Sequence, residues 1–418
     1  MEVKHEQVKA VFDQLQNHKE IKKVLFSFQD KNELTLQDQI DLTAIPAPTF
    51  HEAERGAEFA NRLRALGLHD VTTDANGNVF GVRKGTRKGP NLVICAHLDT
   101  VFPEGTDTVA KRKDGKVYAP GIADDGRGLA VVLTLIESLH LSSLKTKGNL
   151  IFGATVGEEG LGDLYGVKGL FEERSDIDGF ISIEPGSPAR IIYAGTGSLR
   201  YRVTFSGTGG HSFGDFGTPS AVHALGRAVQ EISNLEIPYE PKTTFNVGEI
   251  SGGTSVNTIA AEATMVIDLR STEPEALKKL ESKVLTIIEQ AAEKENERWG
   301  KSVIQVEAML VGNRPAGSQH TEDSIVQTAV AATKSIGFEP LLSPPISTDS
   351  NVPISLGVPA LTLGGGGSFG GAHTLNEYFD PTDAFFGPQL IFLTMMALAG
   401  VEGVCEPTLP KKEGGDRL

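Results

Sequence analysis

An α/β layered domain interrupted by an inserted α+β unit is the fold class that this 418-residue sequence predicts. Three observations predict it. Apolar strand-like runs alternate with amphipathic helical stretches in the first half, the pattern of an α/β domain. Near Ala194 the pattern changes to period-two strands and two long helical segments. Their order is β-α-β-β-α-β, that of a ferredoxin-like unit. The length also exceeds what one hydrophobic core ordinarily holds, so two domains are expected. The α/β domain reads as 1–197 and 313–418, and the insertion as 198–312.

The first segment reads as helices that stop within Asp41–Pro48, where prolines disfavour further helix. A helix over Glu52–Leu66 ends at Gly67. Asn91–Ala96 is apolar after its first residue, as in a strand buried on both faces of a mixed or parallel sheet. A helix over Gly128–Leu141 and strands over Asn149–Val156 and Gly179–Ile183 follow. In the insertion, Tyr201–Phe205 alternates with period two. A helix over Pro219–Asn234 carries Ala221, Leu225, Ala228 and Ile232 on one stripe. Strands are expected over Thr244–Ile250 and Ala263–Arg270. A helix over Pro274–Glu293 carries Leu277, Leu280, Val284 and Ile287, and a strand over Ser302–Leu310 completes the unit. The tail after Glu406 is expected to be loose.

The net charge of −15 argues against nucleic acid, whose phosphates require Lys/Arg patches, and against an anionic membrane surface. Cys95 and Cys405 are the only cysteines, too few for a disulfide scaffold or a thiolate zinc site, so any metal must be held by His and carboxylates. The first 23 residues lack the apolar core of a signal peptide, and no apolar run has the length of a membrane span. A cytoplasmic protein is the expectation.

Candidate chemistry sits at strand ends, where ligand crevices of open α/β sheets form. His97 and Asp99 follow the buried strand. Their i, i+2 spacing lets His97 meet a metal with Asp99 behind it as an orienting carboxylate. Asp124 and Asp125 stand among Gly121, Gly126 and Gly128 at a helix start. Such a pair suits a helix cap, yet one carboxylate can also bridge two cations, and Asp124 is the candidate. Glu158 and Glu159 end the strand Asn149–Val156. Adjacent extended residues face opposite ways, so one can ligate while the other handles a proton. Glu184 ends the strand Gly179–Ile183. His373 closes a glycine-rich run in which Gly365, Gly367 and Gly370 match GxGxxG. No helix is expected to open within that run, so a dinucleotide site is rejected. A loop that admits substrate to the metals is expected instead. Cys95, inside a buried strand, reads as inert packing.

These motifs come in the order of the co-catalytic zinc peptidase superfamily, which includes glutamate carboxypeptidase, peptidase T, succinyl-diaminopimelate desuccinylase and aminoacylase. The sequence resembles that superfamily over roughly residues 38–400. The resemblance implies a phosphorylase/hydrolase-like mixed-sheet sandwich carrying the inserted lid. It implies Asp124 bridging two metals, one also held by His97 and Glu184, the other by Glu159 and His373. It implies Glu158 as general base and often a cis peptide after the bridging aspartate, here Asp124–Asp125. His211, in Gly209-Gly210-His211-Ser212, resembles the lid histidine that stabilises the oxyanion, and Asn257 and Arg270 resemble the residues that hold a substrate carboxylate. The strand pattern separately sets Arg270 on the face opposite Met265, Ile267 and Leu269, where a guanidinium can grip a carboxylate. Gly126-Arg127 stands where the family carries a lysine, and the Ser347–Asn351 stretch departs from its Gly-rich Asp motif.

The function expected is dinuclear metal-dependent exopeptidase action on small peptides, with two divalent ions, zinc first and cobalt or manganese compatible. N-acyl-amino-acid deacylation is the alternative, and an inactive binding protein on the same fold is a third reading. A homodimer through the lid is expected by resemblance.

Overall fold

A computed structural model of the chain describes residues 2–86 and 89–411. The end of the tail, 412–418, lies outside the described residues. The chain divides into two compact units, Met1–Gly195 with Ser318–Leu418, and Thr196–Gly317.

The first unit is built on an eight-stranded mixed sheet. Its order is His69–Thr73, Val79–Arg83, Asn149–Thr155, Asn91–His97, Gly179–Glu184, Ala360–Gly364, Arg190–Ile192, Leu341–Leu342. The four central strands run parallel, so their carboxyl ends lie side by side. His97 stands opposite Thr155, and Glu184 opposite Gly364.

The apolar run of the His97 strand has a direct physical use. Leu92, Ile94 and Ala96 enter one core, shared with Leu129, Val132, Leu390 and Leu393 of the helices Gly126–His140 and Phe386–Ala399. Val93 and Cys95 enter a second core with Leu164, Val167, Leu170 and Phe180. Alternate side chains thus bury on opposite faces of the sheet, giving a three-layer sandwich. Both cysteines are free and buried, and burial pushes the Cys95 thiol well above its ordinary pKa.

The second unit is a four-stranded antiparallel sheet, ordered Thr243–Gly252, Glu262–Ser271, Gly197–Ser206, Gln305–Arg314. Ala221–Ser233 and Pro274–Trp299 are its helices. The chain order β-α-β-β-α-β is ferredoxin-like. Met265, Ile267 and Leu269 are fully buried in its core. The long helix runs six residues past the expected Glu293, to Trp299, where Gly300 takes a left-handed C-terminal conformation. Its buried stripe uses Ile288 rather than Ile287, because the 3.6-residue turn drifts across so long a helix.

One glycine fixes a sheet contact. Gly153 pairs with Phe80 on one side and Cys95 on the other, and a Cβ there would overlap the Phe80 ring and the Val79 carbonyl. Gly153→Ala is therefore expected to lower the unfolding free energy by about 1–3 kcal/mol through overpacking, read by denaturant titration.

Candidate metal centre

Five side chains from five segments converge at the carboxyl ends of the parallel strands. His97 Nε2 lies 2.9 Å from Asp124 Oδ1, and His373 Nε2 lies 3.3 Å from Asp124 Oδ2. The two oxygens of one carboxylate thus face two different histidines. His373 Nε2 is 3.0 Å from Glu159 Oε1, and His97 Nε2 is 3.9 Å from Glu184 Oε2. The ligand atoms of His97, Asp124 and Glu159 lie within 4.8 Å of one another, as do those of His97, Asp125 and Glu184.

The second group includes Asp125, which the sequence reading leaves out of the cage. Asp125 caps the helix Gly126–His140 by accepting from the Gly128 amide at 2.9 Å, and its other oxygen accepts from the His97 amide at 3.1 Å. Both oxygens therefore already hold the backbone that carries the neighbouring ligands. Gly128 suits that cap because a Cβ would collide with the Asp125 carboxylate. The Asp124–Asp125 peptide is cis.

The supporting shell consists of buried acids that grip backbone amides. Asp99 accepts from the amides of Glu158 and Glu159, each at 3.0 Å, and from the Thr49 hydroxyl at 2.9 Å. The closer contact of His97 Nδ1 is the Asp99 carbonyl at 3.0 Å, with the carboxylate at 3.5 Å. The carboxylate is thus spent mainly on the Glu158-Glu159 turn. Glu377, fully buried, accepts from the amides of Gly121, Ala123 and Asp124 at 3.1, 2.8 and 3.1 Å. Arg55, also buried, donates to the carbonyls of Ile45, Leu98 and Thr43. Arg127 donates to the carbonyls of Gly365 and Ala384. Burial pulls the pKa of these guanidiniums down to about 10 and about 9.

The glycine run before His373 makes close approaches. A Cβ at Gly366 would strike the Ala384 carbonyl, and one at Gly367 the Phe379 ring. These two glycines let the loop pack closely against its own protein. A strand, Ser368–Gly370, follows them instead of a helix, which agrees with rejecting a dinucleotide site. His373 itself has φ of 62°. Asp349 is buried and accepts from the Thr155 hydroxyl.

Three further sequence candidates lie in the second unit. The short strand of His211 pairs with that of Thr258, and the Asn257 carbonyl accepts from the Ser212 amide at 3.0 Å, so His211 and Asn257 are neighbours. His211 Nδ1 accepts from the amides of Phe213 and Gly214 at 3.3 and 3.1 Å. An Nδ1 that accepts leaves the proton on Nε2 in the neutral ring. Arg270 lies on the face opposite Met265 and Ile267, and its Nε donates to Asp268 at 2.6 Å, so it takes part in a salt bridge.

Charge in the cage is unbalanced. Burial pushes Glu184 and Asp125 well above the carboxylate range. Burial disfavours charge on His97, but hydrogen bonds to Asp124 and Asp99 outweigh it and raise its pKa well above the ordinary value. Hydrogen bonds to Asp124 and Glu159 raise His373 to about 10. Burial works against charge on Asp124 too, yet its bonds to the two histidines hold it well below the usual range. Glu184 Oε1 is buried without a hydrogen-bond partner. Two imidazoles and three carboxylates, one with an orphaned oxygen, form a donor set that suits borderline divalent cations.

Of these supports, Asp125, Glu377, Arg55, Arg127 and Thr49 escape sequence reasoning as site residues. The available signals are the paired acids at a helix start, which suit a cap such as Asp125, and Glu377, an acid four residues after His373.

Comparison with known proteins comes down on one family. The model of peptidase family M20/M25/M40 matches residues 93–397. YqjE of Bacillus subtilis (strain 168), described as uncharacterized, is 28% identical over 358 residues, covering 82% of this chain and 92% of its own. A succinyl-diaminopimelate desuccinylase of Bordetella avium (strain 197N) is 28% identical over 261 residues, covering 57% of this chain and 69% of its own. The crystal structure of aminopeptidase PepT from Bacillus cereus superposes with a TM-score of 0.72 at 23% identity, over 87% of this chain and 97% of that one.

Two outcomes are expected. Glu377→Gln puts an amide among three N–H donors and should weaken divalent-metal affinity by about 10–100-fold, read by chelator competition. Metal uptake near neutral pH should release protons, because His373, raised to about 10, is protonated there and must lose its proton to ligate. Calorimetric titration in buffers of different ionisation enthalpy measures that release.

Proposed function

The chain belongs to peptidase family M20/M25/M40 and is a hydrolase of peptide or amide bonds, and from that premise we propose that it is a dinuclear metal-dependent exopeptidase acting on small peptides. The observation that carries the proposal is the Asp124 carboxylate, with one oxygen toward His97 and the other toward His373. We assign His97, Asp124 and Glu184 to one cation and Asp124, Glu159 and His373 to the other. Zinc is the first candidate from the donor set, and cobalt or manganese is compatible. Cations held by these residues would supply Lewis acidity to the scissile carbonyl and to a water.

The chain's own residues do the rest. Glu158 is the general base in this reading: it takes a proton from water and passes it to the leaving amine. Its backbone, fixed by Asp99, keeps it from drifting. His211 offers an Nε2–H donor for the developing oxyanion. Asn257 and Arg270 hold a substrate carboxylate. Arg270 already pairs with Asp268, so substrate competes with that partner. The unit spanning 198–312 acts as a lid and as the homodimer contact in the same reading, and a cytoplasmic site of action is part of it. No helix among the described residues is long and apolar enough to cross a membrane.

N-acyl-amino-acid deacylation is the second reading, supported by the desuccinylase relative. A panel of di- and tripeptides set against N-acetyl and N-succinyl amino acids, with metal-reconstituted enzyme, separates the two. Glu158→Ala should lower kcat by about 10²–10⁴-fold while metal content persists. Near-normal turnover in that variant removes Glu158 from the base role.

A further inference from the structure

Three large apolar side chains stand exposed on two segments that carry cage ligands and one that supports them: Leu161 at 58%, Leu375 at 71% and Phe50 at 60%. Leu161 comes two residues after Glu159, and Leu375 two after His373. Phe50 follows Thr49, whose hydroxyl sits on Asp99. Isolated exposed apolar residues are ordinary, but two of these lie on touching loops, and the third follows His373, whose Nε2 is 3.0 Å from Glu159. The loop of Leu161 packs on that of Phe50, since a Cβ at Gly162 would stand 2.7 Å from Thr49 Cγ2 and 2.6 Å from Gly157 Cα.

Phe50 is also held at a φ of 74°, a region where a bulky side chain is an outlier and where strain points to function. Burial of its ring does not offset that strain, because the ring is mostly exposed. Local contacts hold it instead. Its amide donates to Glu52 Oε1 at 3.0 Å, and the same oxygen accepts from the Gly157 amide at 3.1 Å. Its ring stacks on Tyr165 at 5.6 Å with planes 16° apart. Tyr165 in turn lies against Gly157, the residue before Glu158. Segments 49–52, 157–163 and 371–376 contain no lysine or arginine, so, His51 and the ligand His373 aside, they offer an acidic substrate side chain no basic residue.

We propose that this rim is an apolar subsite that selects substrates with a bulky apolar side chain beside the scissile bond, with the Phe50–Tyr165 stack as its wall and Leu161 and Leu375 beside it. The proposal rests on the peptidase reading above and adds the substrate class.

The test uses the full chain reconstituted with zinc. kcat/KM is measured for Leu-Gly-Gly and Phe-Gly-Gly against Asp-Gly-Gly, and for N-acetyl-leucine against N-acetyl-aspartate. Calorimetry measures binding of free leucine against free aspartate. The apolar member of each series should be favoured by about tenfold or more, the scale of a side-chain contact in an apolar pocket. Phe50→Gly removes the ring and suits the positive φ, and should cut that preference to within about twofold. Leu161→Ala should narrow it by a smaller factor. A preference for aspartate, or one untouched in both variants, overturns the subsite. If no substrate of either class turns over, the exopeptidase and deacylase readings fail instead, and leucine binding no tighter than aspartate overturns the subsite as well.

Discussion

The Asp124 carboxylate must face two imidazoles that arrive from opposite ends of the sequence, His97 and His373. A carboxylate offers about four lone-pair sites, enough to serve two partners at once. For it to do so, the loop that carries it cannot drift by even an ångström. The surrounding structure follows from that need. Glu377 ties down three amides of the Asp124 loop. Asp125 ties the same loop to His97 and starts the next helix. Ile122 and Ala123, just before Asp124, are buried beside Phe379 and Ala384.

A common device recurs around the cage. Acids that would be costly to bury alone accept hydrogen bonds from backbone N–H groups, which satisfies both partners. Asp99, Asp125 and Glu377 all work this way, each holding the main chain next to a different ligand. Arg55 and Arg127 do the converse with carbonyls. The ligands themselves are left short of such partners. Glu184 keeps a buried oxygen with none, and hydrogen bonds to the acids around them raise the pKa of both histidines. The three supporting acids are satisfied, while the centre is frustrated until a cation enters.

Much of this architecture was legible from residue order. The apolar run Asn91–Ala96 announced a strand covered on both faces, and Met265, Ile267 and Leu269 announced the buried face of a half-exposed one. Those signals are local, because periodicity of two or 3.6 residues is written in neighbouring positions. Helix ends drifted, as at Trp299, because the stop depends on where a glycine can take a left-handed turn. The glycine run before His373 was less legible for a related reason. Glycine marks close approach, but the sequence does not say to what, and Gly366 and Gly367 approach the protein's own backbone and the Phe379 ring.

The sequence by itself determined the types of donor available, their positions at strand ends, the family they resemble and the ferredoxin-like order of the inserted segment. Only the tertiary structure decided which acids face the histidines and which hold the backbone. Asp124 and Asp125 are chemically identical neighbours: the family resemblance singles out Asp124, but their order alone gives no physical reason why one lies between two imidazoles while the other caps a helix. That difference arises from contacts across 249 residues, from Asp124 to His373, and 253, from Asp124 to Glu377. Long-range pairing of this kind is set by strand pairing: Lys116–Tyr118 runs antiparallel to Tyr378–Asp380, with Tyr118 opposite Tyr378, which lays the Asp124 loop beside Glu377 whatever their separation along the chain.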